Sequence, residues 1–528
     1  MKKHPQRFRT HRFTNRAVQW ALSHFVDPQN PNLRIQQFAD KYLDLLTVPD
    51  AATGVSLRPM VKTLRDVAGS LASARRFNHT YLGHMLSQPS IPGLFGMALS
   101  HVINSNTVAR EVSMVETRLE KEAADFILHD IYGYGPRSSG TFTSGGTMAN
   151  MTALTVAQRC MAKRYPHLYT RTCIGQITKD IYIGKNRMKV MVIPQKHYSI
   201  PKAIDLLGGP SQLLEIEHIN TDQLRMSTTD LEKKIFRAEI DGVPIMAIIA
   251  IAGETETGLV DPLGDIARIS RKHHIFSIAD GAFGASYRLS RNKHVFAGLH
   301  QFDAIIWDPH KTGYVPYSCG FVGFKNVGDH IELGKTIDAP YIAIQSSQED
   351  DERTQRGRIT QFMASDEQRV LAPKRLEGSM GAGPILSVLA TKKTLGAKGL
   401  AIIYDLTLDR ISYLYDRINT SSYLLPVHRP NINVLCFRLR PHVQARLGNE
   451  KIAAFITRSR LWLDNNIVGD GGYYFSDTIL KLDGYTPRDE STNLPVWRAV
   501  IMNPWTTDTI INQAITGLEG YIQRSFIT

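Results

Sequence analysis

Cysteine is scarce in this chain, with four in 528 residues (Cys160, Cys173, Cys319, Cys436), no CxxC pair and no metal-ligand spacing. That excludes a disulfide framework and a structural zinc site, and it points to a reducing compartment. No uninterrupted apolar run reaches the length of a membrane span,. No apolar segment follows the basic N-terminus, so no secretory signal is expected and the chain reads as cytoplasmic. Low-complexity tracts and internal repeats are missing as well, which excludes fibrous and solenoid architectures. Acidic residues are the minority, 49 against 62 basic, for a formal charge of +13. Much of that excess opens the chain, in Met1-Lys2-Lys3-His4-Pro5-Gln6-Arg7-Phe8-Arg9-Thr10-His11-Arg12. No nucleic-acid motif accompanies it, so the arm reads as a solvated tail, and neither a nucleic-acid nor a membrane partner is expected.

What the chain does have is material for a large core, at 43% hydrophobic residues,. Residues 1–105 read as mostly helical, with amphipathic stretches at 15–25 and 33–46 and a turn-rich segment at 78–85. Between 106 and 390, helices alternate with short continuous apolar runs at 190–193, 245–250, 275–278 and 304–307. Runs without polar alternation, separated by helical lengths, suit strands buried on both faces of a parallel sheet. Asp280 and Asp308 end two of these runs, and so belong at the carboxyl edge, where open α/β sheets bind ligands. From 391 onward, a helix at 402–418, strand-like stretches at 433–438 and 497–502 and a final helix predict a smaller α+β domain. The expected division is 1–105, 106–390 and 391–528.

Several motifs carry chemistry. Ser277-Ile278-Ala279-Asp280-Gly281-Ala282 is followed by a second apolar run that ends in Asp308-Pro309-His310-Lys311-Thr312-Gly313. An aspartate and a His-Lys pair at neighbouring strand ends are the pattern expected around pyridoxal phosphate. The lysine would hold the cofactor as a Schiff base, and the aspartate would keep the pyridine nitrogen protonated. A lone His-Lys pair would be an exposed strand end. Thr143-Ser144-Gly145-Gly146-Thr147-Met148-Ala149-Asn150 precedes a strongly helical stretch, 151–164. Glycines admit an anion close to the backbone, and a helix N-terminus offers free N–H groups and the positive end of its dipole. Taken alone, such a turn is an ordinary cap. His197 and Thr255 follow two further apolar runs, where a ring could lie flat against the histidine.

Together these pieces resemble a known family. In order, the chain carries Thr-Ser-Gly-Gly-Thr-x-Ala-Asn, His-Tyr-Ser-x-x-Lys-Ala, Gly-x-Thr-x-x-Gly-x-x-Asp-Pro, Ala-Asp-Gly-Ala-x-Gly, Asp-Pro-His-Lys and Leu376-Glu377-Gly378-Ser379. Over residues 75 to 510 it resembles the group II pyridoxal-phosphate-dependent amino-acid decarboxylases, bacterial tyrosine decarboxylases and aspartate 1-decarboxylases above all. The resemblance implies a fold-type-I (aspartate-aminotransferase-like) α/β architecture, with a mainly parallel seven-stranded sheet, a small C-terminal α+β domain and a homodimer. It makes Lys311 the Schiff-base lysine and Asp280 the pyridinium partner, with His197 on the ring and Thr255 and Ala282 beside it. Gly146, Thr147 and His310 fall at the phosphate, with Gly378 and Ser379 reaching it from a partner subunit. Asp308 replaces an asparagine of the aromatic-amino-acid enzymes. His84 and Arg498 match substrate-binding positions, and Tyr317 and Tyr341 match tyrosines that protonate the α-carbon or line the pocket. Residues 345–372, where the family has a mobile active-site loop, contain no tyrosine.

The implied reaction is decarboxylation of an L-amino acid to its primary amine. The Tyr314-Val315-Pro316-Tyr317 run points toward tyrosine or another aromatic substrate, with aspartate or glutamate as the alternative. A decarboxylation-dependent oxidative deaminase, an aminotransferase and a carbon–carbon lyase are the rival fold-type-I activities. No metal is expected.

Overall fold

The computed structural model describes residues 12–25, 62, 66, 78–86, 88–108, 113–164, 188–208, 214–334, 375–446, 449–465, 472–481 and 493–527. Seven strands form the central sheet: β1 (Ser139–Thr143), β2 (Met188–Val192), β3 (Leu214–His218), β4 (Ile245–Ile251), β5 (Phe276–Asp280), β6 (Ala304–Trp307) and β7 (Gly320–Phe324). Their order is β1-β7-β6-β5-β4-β2-β3. Every neighbouring pair from β3 to β6 is parallel, whereas β7 runs antiparallel to both β1 and β6. The four apolar runs read from the sequence are β2, β4, β5 and β6. Ile248, Ile249, Ile278, Ile305 and Ile306 are completely buried, and each contributes about 1.5–3 kcal/mol by leaving water. Burial on both faces removes any need for polar alternation, which is why these strands read as unbroken apolar runs.

Helices cover the faces. Helix α1 (Ile91–Ile103) is capped by Ser90, whose hydroxyl accepts the Gly93 N–H. Helix α2 (Gly146–Arg164) lies across β4 to β7, and α3 (Ser199–Gly208) packs on α2. Helix α4 (Gly383–Thr394) packs closely on α1: a Cβ added at Gly96 would sit 2.4 Å from the Leu386 carbonyl oxygen. Helix α5 (Gly396–Asn419) leads to a second, antiparallel sheet of order β8-β9-β11-β10, comprising β8 (Leu424–Pro426), β9 (Val434–Leu439), β10 (Ser476–Lys481) and β11 (Asn493–Val500). The chain's last helix, Asp508–Ile527, is tied back to α5 by Arg410–Asp508 at 2.7 Å and by Arg417–Glu519.

The α/β fold class and the mainly parallel seven-stranded sheet match the sequence expectation, as do the helix and strands anticipated near 402–418, 433–438 and 497–502. Helix α2 starts at Gly146 rather than near 151: the second glycine of the pair opens its first turn, and the Ala149 N–H already donates to Gly145 O at 3.0 Å. The anticipated helix at 33–46 lies outside the described residues. Among the described residues, no helix is long and apolar enough to cross a membrane.

Candidate active site

The carboxyl edge of the central sheet opens into a cavity of about 360 Å³. Register aligns its floor. Ile251 pairs with Asp280 and Asp280 with Ile306, so the segments after β4, β5 and β6 leave the sheet at one level. A short helix, Pro309–Thr312, follows β6 at once and carries Lys311 back over the edge. The N-terminus of α2 faces it.

Lys311 Nζ lies 2.9 Å from Asp308 Oδ2. Burial acts to lower the lysine's pKa, but Asp308, Asp280 and Tyr317 outweigh it and the pKa stands above the ordinary value. The amine is therefore an ammonium here. Asp308 is 2% exposed, and its other oxygen, Oδ1, has no hydrogen-bond partner. The same carboxylate lies against the first turn of α2: a Cβ at Gly146 would stand 2.8 Å from Asp308 Oδ2. A side chain at 146 would have to push this carboxylate away from Lys311, so the close approach favours glycine.

His310 accepts the Cys319 N–H on Nδ1 at 3.1 Å, which leaves its proton on Nε2, 3.6 Å from Asp308,. Burial pushes its pKa down to about 4, so the ring is neutral near pH 7. Tyr317 stacks on it with centroids 3.9 Å apart, and burial raises the phenol's pKa. Across the cavity, Asp280 is 6% exposed; Oδ1 accepts the Ala282 N–H at 3.1 Å and Oδ2 accepts Asn150 Nδ2 at 3.0 Å. Each oxygen keeps a lone pair for a further donor. His197 borders the same space, and its pKa is lowered by burial, with Lys311 adding to the effect.

The fold thus gathers Gly146, Thr147, His197, Thr255, Asp280, Ala282, Asp308, His310, Lys311 and Tyr317 around one cavity. Four anticipated residues do not border it. Ser379 Oγ instead accepts Asn106 Nδ2 at 3.1 Å, and Gly378 sits at φ 74° in the turn before it. The neighbouring Glu377 reaches the site, accepting the Ser144 N–H at 3.0 Å. His84 bonds through Nδ1 to the Tyr81 hydroxyl and stacks with Tyr474, and burial together with Arg498 and Arg460 lowers its pKa.

Arg498 has its guanidinium filled by the chain. Nε donates to Ser476 Oγ at 3.0 Å, and Nη1 donates to Thr255 O at 3.1 Å and pairs with Glu256 at 2.8 Å. Tyr341 lies outside the described residues. Asn150 and Ser199 sit inside quoted motifs, yet were not singled out from the sequence. The signal that marks them is a polar residue kept at a buried position of a helix, visible only once burial is known.

The arrangement fits pyridoxal phosphate. The half-buried amine, the buried carboxylate, the imidazole and a glycine-opened helix N-terminus are the groups an aldehyde, a ring nitrogen, a ring face and a phosphate would need. Among the described residues, no cluster of acidic, histidine or cysteine side chains has the form of a metal site.

Comparison with known proteins agrees with this geometry. Residues 60–355 match the pyridoxal-dependent decarboxylase conserved domain. An aspartate 1-decarboxylase from Aliivibrio fischeri is 27% identical, over 94% of this chain and 88% of its own length. An L-2,4-diaminobutyrate decarboxylase from Rhizobium meliloti is 25% identical, over 83% of this chain and 80% of its own. In fold, the chain resembles the crystal structure of Oryza sativa TDC with PLP and tryptamine, with a TM-score of 0.73 at 16% identity, covering 93% of this chain and 96% of that one. The chain belongs to the pyridoxal-dependent decarboxylase family, and it is a carboxy-lyase whose cofactor is pyridoxal phosphate.

Proposed function

We propose that this enzyme removes the α-carboxylate of an aromatic L-amino acid, tyrosine before others, and releases the primary amine and CO2. Pyridoxal phosphate supplies the electron sink for the pair left by the broken Cα–carboxylate bond. In this reading Lys311 would be the amine that holds the cofactor. Asp280 holds the proton on the ring nitrogen, His197 covers the ring, and Thr255 and Ala282 line it. Gly146, Thr147 and His310 take the phosphate, and Asp308 serves as the counter-charge of Lys311. Tyr341, the tyrosine favoured from the sequence, and Tyr317, which borders the cavity, are the two candidates to return a proton to Cα.

The observation that carries the substrate choice is electrostatic. Among the described residues bordering the cavity, Lys311 is the sole lysine or arginine, and it is paired with Asp308. The two arginines near His84 are paired as well, Arg498 with Glu256 and Arg460 with Asp477. A substrate with a distal carboxylate needs a cation free to meet it. Met85, Met148, Tyr198, Ile251, Phe283 and Tyr317 offer an apolar and aromatic lining instead,. The likeness to the Aliivibrio fischeri aspartate 1-decarboxylase over nearly the whole chain favours aspartate as the second reading.

The enzyme acts as a homodimer in this reading. Helix α1 buries its small residues, Gly93, Gly96 and Ser100, and turns large apolar ones outward, with Phe95 66% and Val102 83% exposed. That is the reverse of a surface helix and suits an isologous contact. Asn106, three residues after this helix, bonds Ser379 and bridges Gly381, so Gly378 and Ser379 lie near that contact and would then serve the partner's site.

Product analysis tests the proposal. The purified holoenzyme is offered each of the twenty amino acids, and CO2, amine, keto acid, aldehyde and peroxide are measured. Amine and CO2 from tyrosine support it. Preference for aspartate moves the reading to the acidic class. Keto acid, or aldehyde with peroxide, overturns it in favour of an aminotransferase or an oxidative deaminase.

A further inference from the structure

Asp280 and His197 are joined by two buried side chains, Asn150 of α2 and Ser199 at the start of α3, which are 1% and 0% exposed. Asn150 Nδ2 lies 3.0 Å from Asp280 Oδ2 and 3.1 Å from Ser199 Oγ. Ser199 Oγ lies 2.8 Å from His197 Nδ1.

One fixed donor sets the direction of every bond. The Ser199 backbone N–H points at His197 Nδ1, 3.3 Å away, and a backbone N–H can only donate,. Nδ1 therefore carries no proton, and the imidazole hydrogen is on Nε2. The Ser199 hydroxyl must then give its hydrogen to Nδ1 and accept from Asn150. Both N–H groups of Asn150 are used, one on Ser199 and one on the Asp280 carboxylate. The amide's own oxygen, Oδ1, is left buried without a partner. An unmet buried acceptor is destabilising, and flipping the amide would set oxygen against carboxylate oxygen, which is worse.

We propose that Asn150 and Ser199 are positioning residues: a hydrogen-bond chain that runs outward from the Asn150 amide, to Asp280 on one side and through Ser199 to His197 on the other, and that holds the imidazole as its neutral Nε2–H tautomer and keeps Asp280 an acceptor. The chain works because its two ends share a requirement. Asp280 accepts on both oxygens, Oδ1 from the Ala282 N–H and Oδ2 from Asn150, and Nδ1 accepts only while unprotonated,. A proton added at Nδ1 sets donor against donor and breaks the line there. The remaining charges that act on His197 are Lys311 and Asp308, which oppose one another and are paired. The consequence for function rests on the roles proposed above for Asp280 and His197: the ring's partner and the ring's cover are set by a single network.

The test uses the full-length protein with nitrogen-15 histidine, with and without pyridoxal phosphate, and reads which nitrogen of His197 is protonated. The expected result is Nε2–H in both forms near pH 7. Ser199→Ala removes one link, and Asn150→Asp replaces the donor by an acceptor at the same size. The Ser199 backbone N–H stays at Nδ1 in both variants, so each is expected to shift the tautomer equilibrium partway toward Nδ1–H, and to loosen cofactor binding about threefold for Ser199→Ala, which loses a neutral bond, and roughly tenfold for Asn150→Asp, which loses the bond to the Asp280 carboxylate, with substrate KM unchanged,. Nδ1–H in the wild type overturns the proposal and needs no variant. Variants that melt earlier but keep the wild-type tautomer overturn it too, since Asn150 and Ser199 would then only staple α2 to α3. The readout does not depend on turnover. A chain that shows Nε2–H yet releases no CO2 refutes the decarboxylase reading and leaves the network standing.

Discussion

Replacing Arg498 by methionine separates two roles that make opposite demands on one side chain. The residue is 8% exposed, and its guanidinium joins three parts of the chain: Ser476 on β10, Thr255 and Glu256 after β4, and the Gly83 segment. The contact to Gly83 O, at 3.5 Å, is at the limit of hydrogen-bond distance and adds little,. The bonds to Ser476 Oγ and Thr255 O each come from a charged donor and contribute about 1.5 kcal/mol at the lower end of the range. Glu256 is 33% exposed, so its ion pair adds at most about 1 kcal/mol. Methionine preserves much of the apolar stem. The sum is a loss of about 3–4 kcal/mol in unfolding free energy, with KM preserved in the folded fraction. A denaturant titration followed by steady-state kinetics on the same preparation measures both. If the variant unfolds with the wild type while KM rises tenfold or more, the fork is a substrate-carboxylate anchor, and the reading of Arg498 as a tie between segments is refuted.

Lys311→Ala should abolish the visible absorbance of bound cofactor and all CO2 release. It should also destabilise the cofactor-free protein by about 3 kcal/mol, because Asp308 is left buried without its cation,; an absorbing, active variant would show the lysine is misassigned. Tyr317→Phe should slow amine formation and divert product toward aldehyde, without weakening cofactor binding; wild-type amine formation would remove Tyr317 as the proton donor. Glu254 is buried beside Thr255, and burial raises its pKa to about 7 from an ordinary 4.5. Its folded pKa exceeds the unfolded one, so its stabilising contribution is complete below about pH 4.5 and lost as pH rises through 7. Glu254→Gln should therefore gain stability relative to wild type on going from pH 5 to pH 8, by about 3 kcal/mol at most. Thermal melts at the two pH values that shift in parallel would refute this.

The strands were legible because each satisfies a local rule. Ile245–Ile251 and Ala304–Trp307 are short apolar runs, and burial on both faces makes any other composition costly,. The residues ending those runs were legible too, since Asp280 and Lys311 are polar where the pattern demands apolar, and polarity at a strand's carboxyl end points to a ligand. By itself, then, the sequence determined the fold class, the cofactor and ten residues that meet around the cavity. Partners distant in the chain were not legible. Nothing local distinguishes an arginine free to bind a carboxylate from one already occupied, and Glu256 takes Arg498 across 242 positions. The start of α2 was misplaced because its first turn opens on glycine, whose low helix propensity hides where the helix begins,. Asn150 and Ser199 looked like ordinary cap and turn residues until burial left them only each other, Asp280 and His197. Tertiary structure alone decided how the polar side chains pair, because a hydrogen bond depends on which groups packing brings within 3 Å, and sequence order does not encode that distance.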